Sequence, residues 1–322
     1  MKILHITNAY PTDAYPVYGI FIKEQIDSLN CYDICNTVFF INGREKGLRE
    51  YFFSILRLRV YFKNNSFNIV HCHHVLSALI YLFATIFRRN EEKRVVSFLN
   101  NPVNEFKLFG KLLSYFLYKI VEKHFTIIIL KDKTFNSENR KIVHLPNGVN
   151  TDIFYPMEKV DAKMKLSLNV NKIYILFVSS NYIRAQKRYD IFKQVINILR
   201  DRYHLNIEEI ILTNTKRELV PVYYNAADLH LLTSDFEGSP NSVKECLACN
   251  TPVVSTDVGN VKEMIDGLNS CKVARTNNPD ELAKLAYEAL NSEKEDLRNV
   301  IFQKELDMTS VAQKLINLYK TS

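Results

Sequence analysis

The chain has 322 residues, 47% of them apolar and 24% charged, a balance ordinary for a soluble globular protein and long enough for two cores. Its longest apolar run, Val75 to Phe87, is too short to cross a bilayer, and Met1 to Asn8 reads as a strand rather than a signal peptide, so a cytosolic location is expected. The net charge of +7 is lopsided, with 20 Lys and Arg against 12 Asp and Glu in residues 1–150 but 22 against 23 in residues 151–322. Basic charge on one half attracts phosphates, whether of a membrane surface or of a nucleic acid, and no nucleic-acid motif accompanies it.

Lys2 to Asn8 alternates as a strand, and the turn from Ala9 to Gly19 precedes a helical stretch with Ile22, Ile26 and Leu29 on one face. Strand, loop, helix is how a doubly wound sheet opens, with the loop at the carboxyl edge where ligands bind. Cys35 to Ile41 is a second strand, Leu48 to Lys63 an aromatic and basic helix, and Phe67 to Cys72 a third strand running into His71-Cys72-His73-His74. Alternation sends His71 and His73 to one face and Cys72 and His74 to the other, so these four do not converge on one metal. Arg94 to Leu99 is a further parallel strand. Lys107, Lys111, Lys119 and Lys123 then interleave with Phe106, Leu112, Phe116 and Ile120, the pattern of a basic amphipathic helix. Such a helix either lies on an anionic surface or packs on the core with a solvated basic face. Phe125 to Leu130 and Lys141 to Leu145 are short strands, and the Pro, Asn and Gly of residues 146–150 have the turn chemistry of a linker, which places a boundary near residue 150.

The second half opens with a strand from Tyr174 to Ser179, a polar loop from Ser180 to Arg188, and apolar segments at Ile210 to Thr213 and Glu218 to Ala227. Asp228 to Thr233 is a strand, followed by a loop rich in Ser, Asp, Gly, Pro and Asn. From Asn241 to Cys249 the apolar positions fall three or four apart, as a helix with one buried face requires, and Pro240 suits its first turn. Glu237 lies just before this helix and Glu245 inside it. Unpaired N–H groups at a helix start favour a phosphate, and carboxylates accept from hydroxyls, so the segment suits a ligand that is part phosphate and part polyol. Asn278-Pro279-Asp280-Glu281 is a helix start with an Asn cap, and a last helix runs from about Val311 to Tyr319. The six cysteines show no disulfide framework, and Cys246 and Cys249, lacking a second pair, read as helix core.

Glu237, seven intervening residues, Glu245, then Ala248-Cys249-Asn250-Thr251-Pro252-Val253-Val254 and Asp257-Val258-Gly259 resemble the donor-site signature of the retaining glycosyltransferases of family 4. That resemblance implies the GT-B fold: two doubly wound Rossmann-like α/β domains facing across a cleft. The domains would be residues 1–150 on the acceptor side and 151–322 binding the nucleotide-sugar, with the last helix packing back on the first. By resemblance Glu237 contacts the donor sugar and Glu245 the ribose, while Gly238, Ser239, Asn241 and Ser242 line the helix start. Gly19-Ile20-Phe21 resembles the family's glycine-containing first loop. Arg184 and Lys187 resemble the basic pair that neutralises the donor diphosphate, with Arg188 a rival to Arg184. A His at the third strand end would line the cleft. Where many relatives place His-Gly, this chain has Leu99-Asn100-Asn101-Pro102, and Asn100 and Asn101 are the nearest polar substitutes.

The expected activity is metal-independent, retaining transfer from a UDP- or GDP-linked sugar to a glycan or lipid-linked acceptor in surface polysaccharide biosynthesis. No cofactor or metal is expected, and Asp235-Phe236-Glu237 is a poor Mg²⁺ motif. Peripheral contact with an anionic membrane through Lys111 and Lys119 is a separate expectation. The alternative, motivated by Leu99, is a non-catalytic nucleotide-sugar-binding subunit of a glycan-assembly complex.

Overall fold

The protein is described here by a computed structural model covering residues 1–89, 91–99, 111–131, 141–179 and 184–321. The chain divides into two compact units, Met1–Asn147 with Thr309–Ser322, and Gly148–Met308. Asn100, Asn101, Phe106 and Lys107 lie outside the described residues, as does the side chain of Lys111.

In the first unit β1 (Lys2–Thr7), β2 (Cys35–Phe40), β3 (Ile69–His73), β4 (Lys93–Phe98), β5 (Ile127–Leu130) and β6 (Ile142–His144) form a parallel sheet in the order β2-β1-β3-β4-β5-β6. Parallel neighbours need crossover connections, which here carry α1 (Ile20–Leu29), α2 (Gly43–Lys46), α3 (Arg49–Asn64), α4 (Val75–Thr85) and α5 (Lys111–His124). Both sheet faces are therefore covered, and the strands read as apolar runs. On one face Leu4, Ile6, Val70 and Val96 meet Leu58 of α3, Tyr81 of α4 and Val121 of α5. On the other, Ile3, Ile69 and Val95 meet Leu29 of α1 with Val311 and Leu315 of the closing helix, Met308–Lys320. The short α2 was not expected; Asn42 caps it by accepting from the Glu45 N–H.

The second unit repeats the plan with five parallel strands, β7 (Ile173–Val178), β8 (Ile207–Leu212), β9 (Leu229–Leu232), β10 (Val253–Thr256) and β11 (Lys272–Ala274), ordered β11-β10-β9-β7-β8. Its helices are α6 (Lys159–Lys165), α7 (Tyr189–Asp201), α8 (Val220–Ala226), α9 (Asn241–Ala248), α10 (Val261–Ile265), α11 (Pro279–Leu290) and α12 (Leu297–Gln303). Helix α7, which the sequence reading passed over, buries Ile191, Phe192, Val195, Ile196 and Leu199 along one stripe. Asn278 caps α11 as expected, accepting from the Asp280 N–H at 2.8 Å. Glu281 instead turns its carboxylate back to the N–H groups of Arg275 and Thr276, at 2.9 and 3.1 Å. In each sheet the chain reverses its winding once, between β1 and β3 and between β7 and β9, and the carboxyl ends of those strand pairs are where doubly wound sheets bind ligands.

While His74, just beyond the strand end, is half-buried, His71 and His73 do share a face and are buried. His5, paired in register with His71 on the neighbouring strand, joins them, so that three ring nitrogens lie within 4.8 Å of one another. The polar atoms already satisfy one another. Asn36 Nδ2 donates to Asn30, leaving Asn36 Oδ1 to accept from His5 Nε2 at 2.9 Å, while His5 Nδ1 and His73 Nε2 are 3.1 Å apart. His71 bridges the Tyr319 hydroxyl of the closing helix at 2.6 Å and Ser97 Oγ at 2.7 Å. That pattern fits three neutral imidazoles. Burial pulls His5 down to about 4 and holds His71 and His73 well below the usual histidine value, the Lys131 cation acting in the same direction on the latter two.

A histidine whose native value is depressed destabilises the fold only when protons bind the unfolded chain preferentially, so stability is full above about pH 6.5 and falls toward pH 4. Between pH 7.5 and 5, His5 alone accounts for a loss of about 2 kcal/mol. Urea unfolding followed by circular dichroism at the two pH values measures it, and His5→Gln is expected to flatten the slope.

Candidate functional site

The β7/β9 reversal in the second unit is built from two loops laced together. Beyond β9, the Asp235 N–H donates to the Gln186 carbonyl at 2.9 Å, and Gln186 Nε2 returns a bond to the Phe236 carbonyl at 2.6 Å. Thr233 Oγ1 donates to the carbonyls of Lys187 and Arg188, at 2.9 and 3.0 Å. Arg188, held in a left-handed conformation where the loop turns into α7, pairs with Asp190 and Asp235. The lacing carries Lys187 Nζ to 2.7 Å from Glu237 Oε1, and Ser234 Oγ donates to the same oxygen at 2.8 Å. Both partners of this ion pair are only 15% exposed, so solvent screens it far less than it would a surface pair.

Glu237-Gly238 is held from beneath by the Asp257-Val258-Gly259 turn. The Asn260 N–H donates to the Gly238 carbonyl at 3.1 Å, and Gly259 has φ +54°, where a Cβ would sit 2.0 Å from that carbonyl oxygen. Glycine is therefore a steric requirement there. Helix α9 begins at Asn241 as the sequence suggested, but Pro240 is its cap, with φ −64° and ψ 119°, rather than part of its first turn. Pro240 supplies no side-chain cap, and the N–H groups of the first turn point along the helix axis out of this end. Asn241 Oδ1 and Asn260 Oδ1 are buried without a hydrogen-bond partner among the described residues. Ser239 Oγ accepts from the fully buried Lys244 at 3.0 Å. Ser242 Oγ lies 3.1 Å from Nε2 of His230, whose Nδ1 bonds the Leu176 carbonyl at 2.9 Å. Burial lowers His230 to about 4, and Lys187, Glu237 and Glu245 all act on it electrostatically, so one neutral imidazole lies among the three charges.

Glu245 is gripped on both oxygens. Arg217 Nη1 donates to Oε1 at 2.8 Å and the Tyr224 hydroxyl to Oε2 at 2.6 Å. The Arg217 guanidinium also lies 4.5 Å from the centre of the Phe154 ring. Burial and the adjacent carboxylate push the Tyr224 phenol well above its usual value, which keeps it a donor. Each carboxylate oxygen retains a second lone pair, so Glu245 is aimed and still able to accept from a ligand hydroxyl.

The second unit thus assembles Lys187, Glu237, Gly238, Ser239, Asn241, Ser242 and Glu245 around one strand edge. Arg184 is exposed, and its described bond is to Gln186 Oε1 at 3.4 Å. Gly19 belongs to the first unit, where it starts α1 with φ +71° and a Cβ would meet the Ala9 backbone at 2.3 Å. Asp235 faces Arg188 and Asn277 whereas Glu237 faces Lys187, so the two carboxylates of Asp235-Phe236-Glu237 serve different partners. Sequence reasoning missed Arg217, Tyr224, Ser234 and His230. Of these only His230 left a signal, a polar residue inside an otherwise apolar strand.

Residues 198–292 match the family model described as "Glycosyl transferases group 1". The chain is similar to a "Probable sucrose-phosphate synthase" of Thermosipho melanesiensis, 31% identical over 149 residues that cover 39% of this chain and 34% of that protein; the chain spans about a third of that relative's length. Among solved structures it resembles sucrose-phosphate synthase from Thermosynechococcus elongatus, with TM-score 0.78 at 14% identity over 99% of this chain and 98% of the other. It also resembles Anabaena HepE in complex with UDP-glucose, with TM-score 0.68 at 12% identity over 99% of both chains. The two parallel-sheet α/β units of this chain have the GT-B fold of glycosyltransferases.

Proposed function

We propose that the protein is a retaining, metal-independent glycosyltransferase that moves a sugar from a UDP- or GDP-linked donor to a glycan or lipid-linked acceptor in surface polysaccharide biosynthesis. The observation that carries this reading is the Lys187–Glu237 pair at the β7/β9 carboxyl edge, beside an uncapped helix start and a Glu245 held by two donors. Departure of a nucleoside diphosphate places negative charge on its outer phosphate, and a preorganised cation with aligned N–H groups stabilises that charge. Lys187 and the first turn of α9 supply both. Glu237, displaced from Lys187 by the phosphates, is free to accept from sugar hydroxyls, and Glu245 from the ribose. HepE was solved with UDP-glucose, and a donor of that class is proposed here. The site residues proposed on this reading are Glu237, Lys187 and Arg184 for transfer, with Gly19, Gly238, Ser239, Asn241, Ser242 and Glu245 for the donor.

A second reading, a donor-binding subunit without transfer activity, is favoured by Leu99, whose side chain at the end of β4 neither donates nor accepts a hydrogen bond. No helix among the described residues is long and apolar enough to cross a membrane. A cytoplasmic location with peripheral contact at an anionic membrane face is proposed.

A thermal-shift screen of UDP- and GDP-sugars is expected to find one that raises the melting temperature by roughly 5 °C or more at a hundredfold excess over its Kd. No shift with any of them would remove the donor from the account. Hydrogen bonds to a charged carboxylate are worth roughly 1.5–3 kcal/mol, so Glu237→Ala is expected to lower transfer by about one to two orders of magnitude with the fold intact. Donor binding without transfer by the parent chain, across a panel of acceptors, would establish the second reading instead.

A further inference from the structure

In the first unit α3, α4 and α5 pack side by side on one sheet face through Leu58, Phe62, Tyr81 and Val121. The outward side of that layer is not the polar surface a solvated helix presents. On α3, Glu50, Ser54, Leu58 and Phe62 are the buried residues, a row at i, i+4 spacing, and the opposite row is Phe52, Leu56 and Val60 with Phe53 beside it, all exposed. Phe52 is 63% exposed. Arg57 flanks this apolar row on one side and Arg59 on the other, with Arg49 and Lys63 at its two ends. The Arg59 guanidinium donates to the Phe83 carbonyl of α4 at 3.0 Å, which joins the α3 face to Phe83, Ile86 and Phe87. Phe87 is 93% exposed and is followed by Arg88 and Arg89.

We propose that this α3/α4 face lies in the headgroup layer of an anionic phospholipid bilayer, with the Phe, Leu and Val side chains among the upper acyl carbons and the arginines and Lys63 on the lipid phosphates. The charge pattern selects this occupant. Residues 49–64 and 75–89 contain one acid, Glu50, which is buried and paired with Arg57, and Arg88 is likewise paired with Glu92, so the cations without a carboxylate partner among the described residues are Arg49, Arg59, Lys63 and Arg89, which outnumber the exposed Glu91 that follows them. Nucleic acid fits poorly, because Leu56, Val60 and Ile86 cannot stack on bases. Helix α5 continues the layer with exposed Leu113, Tyr115 and Phe116, but its Lys119 is neutralised by Glu122 at 2.7 Å. The strongest contact is therefore assigned to α3 and α4 rather than to α5, where the sequence had placed it. The assignment is independent of glycosyl transfer, since its readout is vesicle binding.

Co-sedimentation of the full chain with vesicles of phosphatidylcholine containing about one third phosphatidylglycerol tests it, against phosphatidylcholine alone. The parent protein is expected to bind the anionic vesicles at least tenfold more strongly, with binding that weakens as salt rises. Two double variants on exposed positions, Phe53→Gln with Phe87→Gln and Lys63→Glu with Arg89→Glu, are each expected to lower binding by about tenfold or more while leaving the circular-dichroism spectrum and melting temperature unchanged. Absence of binding by the parent overturns the proposal. So does loss of binding on reversing Lys119 and Lys123 of α5 while the α3/α4 variants bind normally. A concentration-dependent dimer in ultracentrifugation that the same variants dissolve, without vesicle binding, would assign the face to a second copy of the chain and overturn it as well.

Discussion

The donor-site account rests on one ion pair. Lys187 and Glu237 come from loops fifty residues apart in sequence, each following a different strand of one sheet, and they meet at 2.7 Å with little solvent around them. Removing two charges from water is costly, and an isolated pair in that setting contributes little net stability. What keeps it in place is the framework around it: the Thr233 and Gln186 bonds that lace the loops, Ser234 on the carboxylate, and Gly259 pressed against the Gly238 carbonyl. A pair of this kind is already desolvated and aimed. An anionic ligand with hydroxyl groups can satisfy the lysine and the glutamate separately, which is what a sugar diphosphate offers.

The parts legible in the sequence were those whose signal is local. Apolar strands buried on both faces, the helix periodicity from Asn241, the Asn278 cap and the Glu237/Glu245 spacing all act within a few residues, and they recur in the structure with ends shifted by at most three positions. Pro240 moved from first turn to cap because its φ of about −64° suits both places and only ψ distinguishes them. The parts not legible depend on distant partners. Arg217 and Tyr224 reach Glu245 across 28 and 21 residues, and nothing in their own neighbourhoods marks them. His5 meets His73 across 68 residues, and Tyr319 meets His71 across 248. Alternation along β3 was enough to separate His71 and His73 from Cys72, but it could not show that a closing helix would bury them.

The first unit uses its two sheet faces differently. One is sealed by α1 and the closing helix over three neutral histidines, an arrangement that ties the closing helix to the middle of β3 through the Tyr319 hydroxyl. The other carries the helical layer whose outer side is apolar and cationic. The surplus of positive charge in residues 1–150 is thus concentrated partly where α3 and α4 leave aromatic side chains uncovered, rather than spread as a solvated surface.

Calorimetric titration of UDP and GDP against the parent chain, Lys187→Met and Glu237→Gln tests the central claim most directly, because on the proposed reading a free diphosphate engages Lys187 and carries no sugar for Glu237. The account predicts that one nucleotide binds, that Lys187→Met weakens it by about tenfold or more, and that Glu237→Gln binds it as well as the parent or better, its lysine being released from the ion pair. Equal affinity in the parent and Lys187→Met, or weakening confined to Glu237→Gln, would contradict it.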